Sequence, residues 1–470
     1  MNKYRNLISN TFIFAIGTFS SKVLVFLLMP LYKVLSEAQY GTVDLMVQVG
    51  NFLLPLVSCG IVNGIIRFGL DKYYKKRDVF TTGFLTILFG FIILLILEPI
   101  LVHVPYLNEN TMMIYVFVLM SSMRSLCSQF VRAKGYVKLY AIDGLLSTAT
   151  TIFFNVLYLV VLKWGINGYM LAMISADTLS TLFLFYVAGL RRYLHIRGLN
   201  LSTSREMLRY SIPMIPNSIF WWVNNMASRY MIAYFMGEEY NGLFAVAYKI
   251  PTIIVLMSNI FMDAWQMSAV SDSPDKRASF FTRVFLFYQS LICTAASGLI
   301  LFSKVITMIL VSDSFYESWK YIPLLLLSTI FSCMSTFLGS VYMVEKKSML
   351  NFITTGIGAV INVVLNFLFI PIFGVNGAAF ATFLSYFVVF VLRVIDTRRF
   401  IPMHFHPMRL TFNTLVLLAQ AFIMIFEVKG WIFFELILTV LMVVANMSAL
   451  LATVAQLLLK RRPHPQHHEE

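Results

Sequence analysis

Long apolar segments recur along the whole chain, and this pattern constrains the fold more than any other feature of the sequence. A helix needs roughly 20 apolar residues to cross the hydrocarbon core of a bilayer. Fourteen such runs, each bounded by charged or turn residues, lie at about 7–32, 42–66, 80–104, 112–131, 140–162, 168–190, 211–235, 243–266, 281–303, 321–343, 352–372, 377–397, 410–427 and 431–458. The pattern predicts an all-α membrane protein of about fourteen transmembrane helices.

The composition supports this prediction. Hydrophobic residues make up 59% of the chain and charged residues 12%, with a mean hydropathy of +0.79. Soluble proteins carry roughly 25% charged residues. The net charge of +14 comes from basic residues in short loops between apolar runs, so it indicates membrane orientation and not a nucleic-acid partner.

The positions of Lys and Arg predict the orientation. With the N-terminus in the cytoplasm, 27 of the 36 basic residues fall on the cytoplasmic side, 5 on the outer side and 4 inside spans. Cytoplasmic loops carry the excess of Lys and Arg in membrane proteins. We therefore expect a multi-pass protein of the cytoplasmic membrane with both termini in the cytoplasm.

Two short turns occur twice. Leu35–Gly41 resembles Met236–Gly242 at an offset of 201 residues, and Trp164–Gly168 resembles Phe373–Gly377 at an offset of 209. A repeated pattern indicates two homologous six-helix halves. Because six is even, both halves enter the membrane with the same polarity, and a central cleft is expected between them.

The repeat predicts the domain organisation. We expect an N-terminal half, a cytoplasmic linker, a C-terminal half, two additional helices and a polar cytoplasmic tail, at 1–190, 191–210, 211–400, 401–460 and 461–470.

No motif for catalysis is visible. The chain has no phosphate-binding loop of the P-loop type, no H-E-x-x-H and no G-x-S-x-G, and its loops are short. The four cysteines lack the spacing of a metal site. We therefore expect a transporter that is not an enzyme and has no cofactor or metal, with Na⁺ or H⁺ coupling left open.

Charged residues inside the apolar runs are the candidate site. Lys22, Arg124 and Arg229 lie deepest in the spans, and a cation at that depth usually faces a cavity or a partner. Lys22 and Arg229 lie on the helices that open the two halves, so both are expected to line the cleft and to favour an anionic substrate. Alternatively, each pairs with a nearby carboxylate, and Arg124 lines a wet cytoplasmic vestibule.

Polar and aromatic neighbours complete the predicted site. The remaining substrate-binding candidates are Trp222, Asn224, Asn225 and Lys249. The candidates for coupling or gating are Asp44, Asp263 and Trp265. Asp143, Asp177 and Glu98 are further acidic candidates, but sequence does not show which carboxylates converge.

Several segments resemble the polysaccharide-type flippases of the MOP (multidrug/oligosaccharidyl-lipid/polysaccharide) superfamily. They are Gly237–Pro251, Phe261–Trp265, Arg132–Ala141 and the Gly-x-Asn-Gly turns at 165–168 and 374–377. This family commonly has an acidic residue just before the Arg of the seventh span, where this chain has Ser228. The departure puts a local ion pair of Arg229 in doubt.

The resemblance implies a V-shaped, Wzx-like flippase that works by alternating access. Such proteins move undecaprenyl-pyrophosphate-linked oligosaccharides from the inner to the outer leaflet of the bacterial cytoplasmic membrane. Membrane lipids, a polysaccharide polymerase and glycosyltransferases are the implied partners, and the chain is expected to be a monomer.

Other functions remain open at this stage. A MATE-like cation-coupled drug antiporter would rely on buried carboxylates, whereas the deepest charges here are cations. A lipid II-type peptidoglycan precursor flippase would carry several cleft arginines in its first two spans. A membrane scaffold would need neither Lys22 nor Arg229, and a glycosyltransferase would need a loop carboxylate pair or a metal motif.

Overall fold

The computed structural model describes residues 34–71, 73–101, 110–195, 199–269, 274–311, 313–345 and 347–459. Regular structure throughout these ranges is helical. The first nine α-helices of eight or more residues are α1 Glu37–Val57, α2 Ile61–Leu70, α3 Lys76–Ile96, α4 Thr111–Ala133, α5 Val137–Asn155, α6 Gly165–Val187, α7 Leu201–Ser211, α8 Ile215–Met236 and α9 Glu238–Ala247. The next seven are α10 Thr252–Ala269, α11 Pro274–Leu301, α12 Ser303–Leu310, α13 Ile322–Val344, α14 Ser348–Thr397, α15 Pro407–Ile425 and α16 Trp431–Leu459.

The chain divides into two compact units. Unit one comprises residues 1–245 and 310–316, and unit two comprises 246–309 and 317–470. The seventh predicted span therefore belongs to unit one. The prediction of two six-helix halves with a cleft between them stays a prediction.

Unit one is built around α4, which packs against α1, α2, α3 and α6. Its core consists of large apolar side chains such as Phe80, Phe130 and Leu126, which are buried between these helices. The amphipathic helix α7, in the predicted cytoplasmic linker, packs against α2 and α3.

Unit two is held by contacts between α13 and α14 and between α11 and the last two helices. Buried amides fasten α15 to α16: Asn413 and Asn446 exchange hydrogen bonds of 3.0 and 3.1 Å. Gln420 donates to Glu435 at 2.9 Å. Such contacts hold helices together where the surroundings offer no hydrophobic driving force.

Membrane-spanning helices account for most of the described chain. Ten described helices are long and apolar enough to cross a bilayer, or eleven if the bent pair α9 and α10 is one span. Predicted spans 2–6 and 8–14 all overlap helices of this set, and α8 at span seven is too polar to join it. The first span lies outside the described residues, so the total of fourteen stays a prediction. The all-α membrane fold class is confirmed.

Two predicted spans differ from the structure. Span two, predicted at 42–66, begins earlier and ends at Val57, and a separate short helix follows. Cys59 and Gly60 both adopt positive φ, at 49° and 62°, which ends the first helix within an unbroken apolar run. Span eight bends by 41° between α9 and α10, where Pro251 supplies no backbone N–H.

The second copy of the Gly-x-Asn-Gly turn breaks the 50-residue segment α14. Gly374 has φ 60° and ψ −141°, which is a conformation that glycine adopts without steric cost. The equivalent residue of the first copy, Gly165, also has a positive φ of 57°. The predicted boundary between spans eleven and twelve therefore coincides with a backbone break.

Candidate functional site

A buried ion pair joins α8 to α1 within unit one. The Arg229 guanidinium binds the Asp44 carboxylate through Nη1 and Oδ2, and the two side chains are 7% and 9% exposed. An isolated charge at this depth would be costly, and the pairing neutralises both groups. The counter-ion comes from another helix, so it replaces the acidic neighbour that Ser228 does not supply. Pairing with a carboxylate was the alternative left open for Arg229.

Side chains of α8 also bond to the backbone of α1. Trp222 Nε1 donates to the Gln48 carbonyl at 2.9 Å, and the Tyr230 hydroxyl donates to the Leu45 carbonyl at 3.1 Å. The Trp222 ring also contacts Phe52, with ring centroids 4.7 Å apart. Trp222, Arg229 and Tyr230 of α8 therefore all bind α1.

The contact continues where α9 crosses the start of α1. A Cβ added at Gly41 would come within 3.0 Å of the Glu238 carbonyl oxygen, and one added at Gly242 would come equally close to that of Glu37. Asn241 donates to the Gly41 carbonyl at 3.0 Å, and Thr42 donates to the Glu238 carboxylate. Gly41 and Gly242 end the two copies of the first repeated turn, so these copies touch each other.

A second charged network lies between α4, α5 and α6. Arg124 donates to Asp177 and to Ser180, both at 3.1 Å. Ser180 in turn donates to Asp143, which is 1% exposed, and Ser121 donates to Asp177. The network therefore holds two carboxylates and one guanidinium.

A cavity of about 440 Å³ opens beside this network. Arg124 and Asp177 line it, together with hydroxyl and amide side chains from three helices of unit one, α1, α4 and α5. Arg124 keeps 31% of its side chain exposed. Arg124 therefore faces a polar cavity and is also paired with Asp177. Its assignment to a substrate site or to a cytoplasmic vestibule stays a prediction.

Other predicted site residues are less fully described. Lys22 lies outside the described residues. Lys249 sits in the bend between α9 and α10. Asn224 and Asn225 lie on α8, and Asp263 and Trp265 lie on α10, but their side chains are outside the described part of the chain.

The partners of Asp143 and Asp177 were not predicted from the sequence. The rule that intramembrane charges pair could have joined them to Arg124, but it could not tell which helices are neighbours. Burial of Arg393 was not predicted either. Arg393 lies inside α14, is 5% exposed, and donates to four neutral oxygens of unit two, including those of Thr354 and Ser335.

Solved structures with this fold are membrane transporters. A structure titled "Lipid II flippase MurJ, inward closed conformation" superposes with a TM-score of 0.70 at 14% identity, covering 94% of this chain and 100% of that one. An inward-facing multidrug resistance MATE family transporter of the MOP superfamily gives 0.63 at 12% identity, covering 81% and 98%. An outward-facing one gives 0.61 at 12%, covering 83% and 94%. The fold is therefore that of the MOP superfamily of membrane flippases and transporters.

The family follows from the sequence match. Residues 31–320, more than half of the chain, match the family described as "Polysaccharide biosynthesis protein". The chain belongs to this family. No curated protein matches it at significant similarity. The resemblance to polysaccharide-type flippases of the MOP superfamily is thereby confirmed, and the protein is a multi-pass membrane flippase of that superfamily.

Proposed function

We propose that this flippase moves undecaprenyl-pyrophosphate-linked oligosaccharide units from the inner to the outer leaflet of the cytoplasmic membrane by alternating access. The proposal rests on two findings that occur together in this chain. It belongs to a polysaccharide biosynthesis family, and its fold is like that of a lipid II flippase. A cargo that is both sugar-bearing and lipid-borne satisfies both.

Arg229 is the residue that we assign to the pyrophosphate. A guanidinium has five N–H donors and binds phosphate oxygens in a bidentate manner. In the present structure its partner is the Asp44 carboxylate. When the pyrophosphate replaces the Asp44 carboxylate, the buried Arg229 guanidinium stays paired with an anion throughout the transport cycle. Removing either partner of a buried pair without replacement costs about 3–5 kcal/mol.

Asp44 is the residue at which we expect a coupling cation to bind. When the pyrophosphate takes Arg229, the released carboxylate needs a new positive partner, and a proton or Na⁺ supplies it. Binding of cargo and binding of the cation at Asp44 are then linked, and each favours the other.

The competing function is export of cationic drugs. It is favoured by the likeness to multidrug transporters and by the excess of carboxylates in the network of Asp143, Asp177 and Arg124. A cationic cargo would be attracted by that network and repelled by an unpaired Arg229. The two functions therefore respond differently to the same substitution.

Purified protein in liposomes distinguishes them. We expect the wild-type protein to move a fluorescent prenyl-pyrophosphate disaccharide to the leaflet where a membrane-impermeant quencher reaches it. Arg229→Gln should slow this movement at least about tenfold, because a charge-assisted contact contributes roughly 1.5–3 kcal/mol. Arg283→Gln is the matched control, because Arg283 bonds only within its own turn in the contacts described. Uptake of ethidium without movement of the disaccharide would establish the antiporter instead.

A further inference from the structure

The cavity of unit one is built from groups that recognise hydroxylated ligands. Its polar lining includes Asn51, Ser125, Ser128, Gln129 and Thr151, which contribute hydroxyls and amides. These groups both donate and accept hydrogen bonds, and this matches the dual character of a sugar hydroxyl. Phe117 and Tyr140 add aromatic surface to the same walls. A cavity inside an apolar bundle needs no such lining unless it holds a polar occupant.

The charges of the cavity select against an anion. Arg124 is the cation in its lining, and it already binds Asp177 and Ser180. Asp143 lies behind Ser180 and adds a second carboxylate to the same network. A pyrophosphate or an acidic sugar would therefore meet a region with more carboxylates than guanidinium groups. An uncharged sugar ring would not be repelled by these carboxylates.

We infer that this cavity is a subsite for uncharged sugar residues of the cargo, separate from the Arg229 position that receives the pyrophosphate. Ligand pockets for small molecules occupy roughly 300–1,000 Å³, and 440 Å³ accommodates a small saccharide. The inference rests on the proposed function, because it divides one lipid-linked cargo between two positions. The inference extends the proposed function by naming uncharged sugars as the class that the protein accepts.

Binding to the purified full-length chain in detergent tests the subsite. The probes are one short-chain prenyl pyrophosphate in three forms: without sugar, with N-acetylglucosamine, and with glucuronic acid. We expect the N-acetylglucosamine form to bind about tenfold more tightly than the bare form, which corresponds to one or two net hydrogen bonds. The glucuronic acid form should gain little or nothing.

Two adjacent threonines provide a matched pair of variants. Thr151 lines the cavity, whereas its neighbour Thr150 is not part of the lining, and both hydroxyls donate to the Ser147 carbonyl. Thr151→Phe should abolish the tenfold gain and leave binding of the bare pyrophosphate unchanged. Thr150→Phe should keep the gain. Gln129→Leu, which removes an amide from the lining without adding bulk, should reduce it even if Thr151→Phe proves unstable.

The outcomes separate the subsite from the proposed function. Equal affinity for the bare and the N-acetylglucosamine forms, with binding still dependent on Arg229, would overturn the subsite alone. Tighter binding of the glucuronic acid form would overturn the preference for uncharged sugars. Failure of the wild-type protein to bind any prenyl pyrophosphate would remove the proposed function and the subsite together.

Discussion

At the scale of single residues, the Arg229–Asp44 pair combines a structural and a functional role, and these can be separated. The pair fastens α8 to α1 and is almost completely buried. Burial of a salt bridge is weak evidence that it stabilises a protein, since replacing both partners by neutral groups is often tolerated. Stability alone therefore does not explain why two charged side chains occupy these buried positions, and we expect a functional reason.

A double substitution tests that reason. Arg229→Gln and Asp44→Asn should each lower the thermal midpoint in detergent, because each leaves one buried charge without its partner at a cost of about 3–5 kcal/mol. The double variant removes both charges and should regain most of the midpoint. It should still fail to move the prenyl-pyrophosphate disaccharide. Recovery of transport along with stability would mean that Arg229 serves only the fold.

The residues of this site could be predicted from the sequence, but their partners could not. Arg229 stood out because a cation is costly within an apolar run. Asp44 was visible as a candidate, yet 185 residues separate the two, and only tertiary structure brings α1 beside α8. Burial of Arg393 could not be predicted because its neutral acceptors come from α13 and from the distant first turns of α14.

At the scale of helices, the two copies of the repeated turn contact each other. Gly41 and Gly242 occupy equivalent positions of the two copies and form one close backbone crossing between α1 and α9. Small residues allow helix backbones to approach in this way. The approach leaves no space for a side chain at either position.

Alanine substitution measures how tight this crossing is. Gly41→Ala adds one methyl group against the Glu238 carbonyl and should lower stability by about 1–3 kcal/mol, which is the usual cost of overpacking. Gly144→Ala is the control, because nothing lies within 4 Å of a Cβ there. Removal of a helical glycine should make that variant neutral or more stable by up to about 1 kcal/mol. Equal thermal midpoints for the two variants would contradict the crossing.

The helices themselves were largely predictable, and the breaks within them only in part. Apolar length identified the spans, and the Gly-x-Asn-Gly turn correctly predicted a boundary that the structure forms at Gly374. The break after Val57 was missed, since Cys59 and Gly60 interrupt the helix through backbone conformation and not through polarity. Hydropathy carries no information on φ.

At the scale of the whole molecule, membrane topology is the prediction with the widest consequences. The distribution of Lys and Arg predicts both termini in the cytoplasm and, with them, the side from which cargo enters. The fold class and superfamily are confirmed, but neither defines the orientation. The last two helices need a direct topology test most, because a topology without this pair would divide Lys and Arg between the two sides almost as well.

Labelling of single cysteines decides the topology. In a background without the four native cysteines, Lys163→Cys and Lys429→Cys should react with a membrane-impermeant maleimide in whole cells. Arg205→Cys and Arg283→Cys should react only after permeabilisation. All four positions are exposed, so burial does not limit the reaction. Because Lys429 lies between α15 and α16, its labelling from outside shows that the loop joining these two helices lies on the outer side. Labelling of Arg205→Cys in whole cells would show that the orientation is the reverse of the one predicted. It would then also contradict the proposed direction of transport.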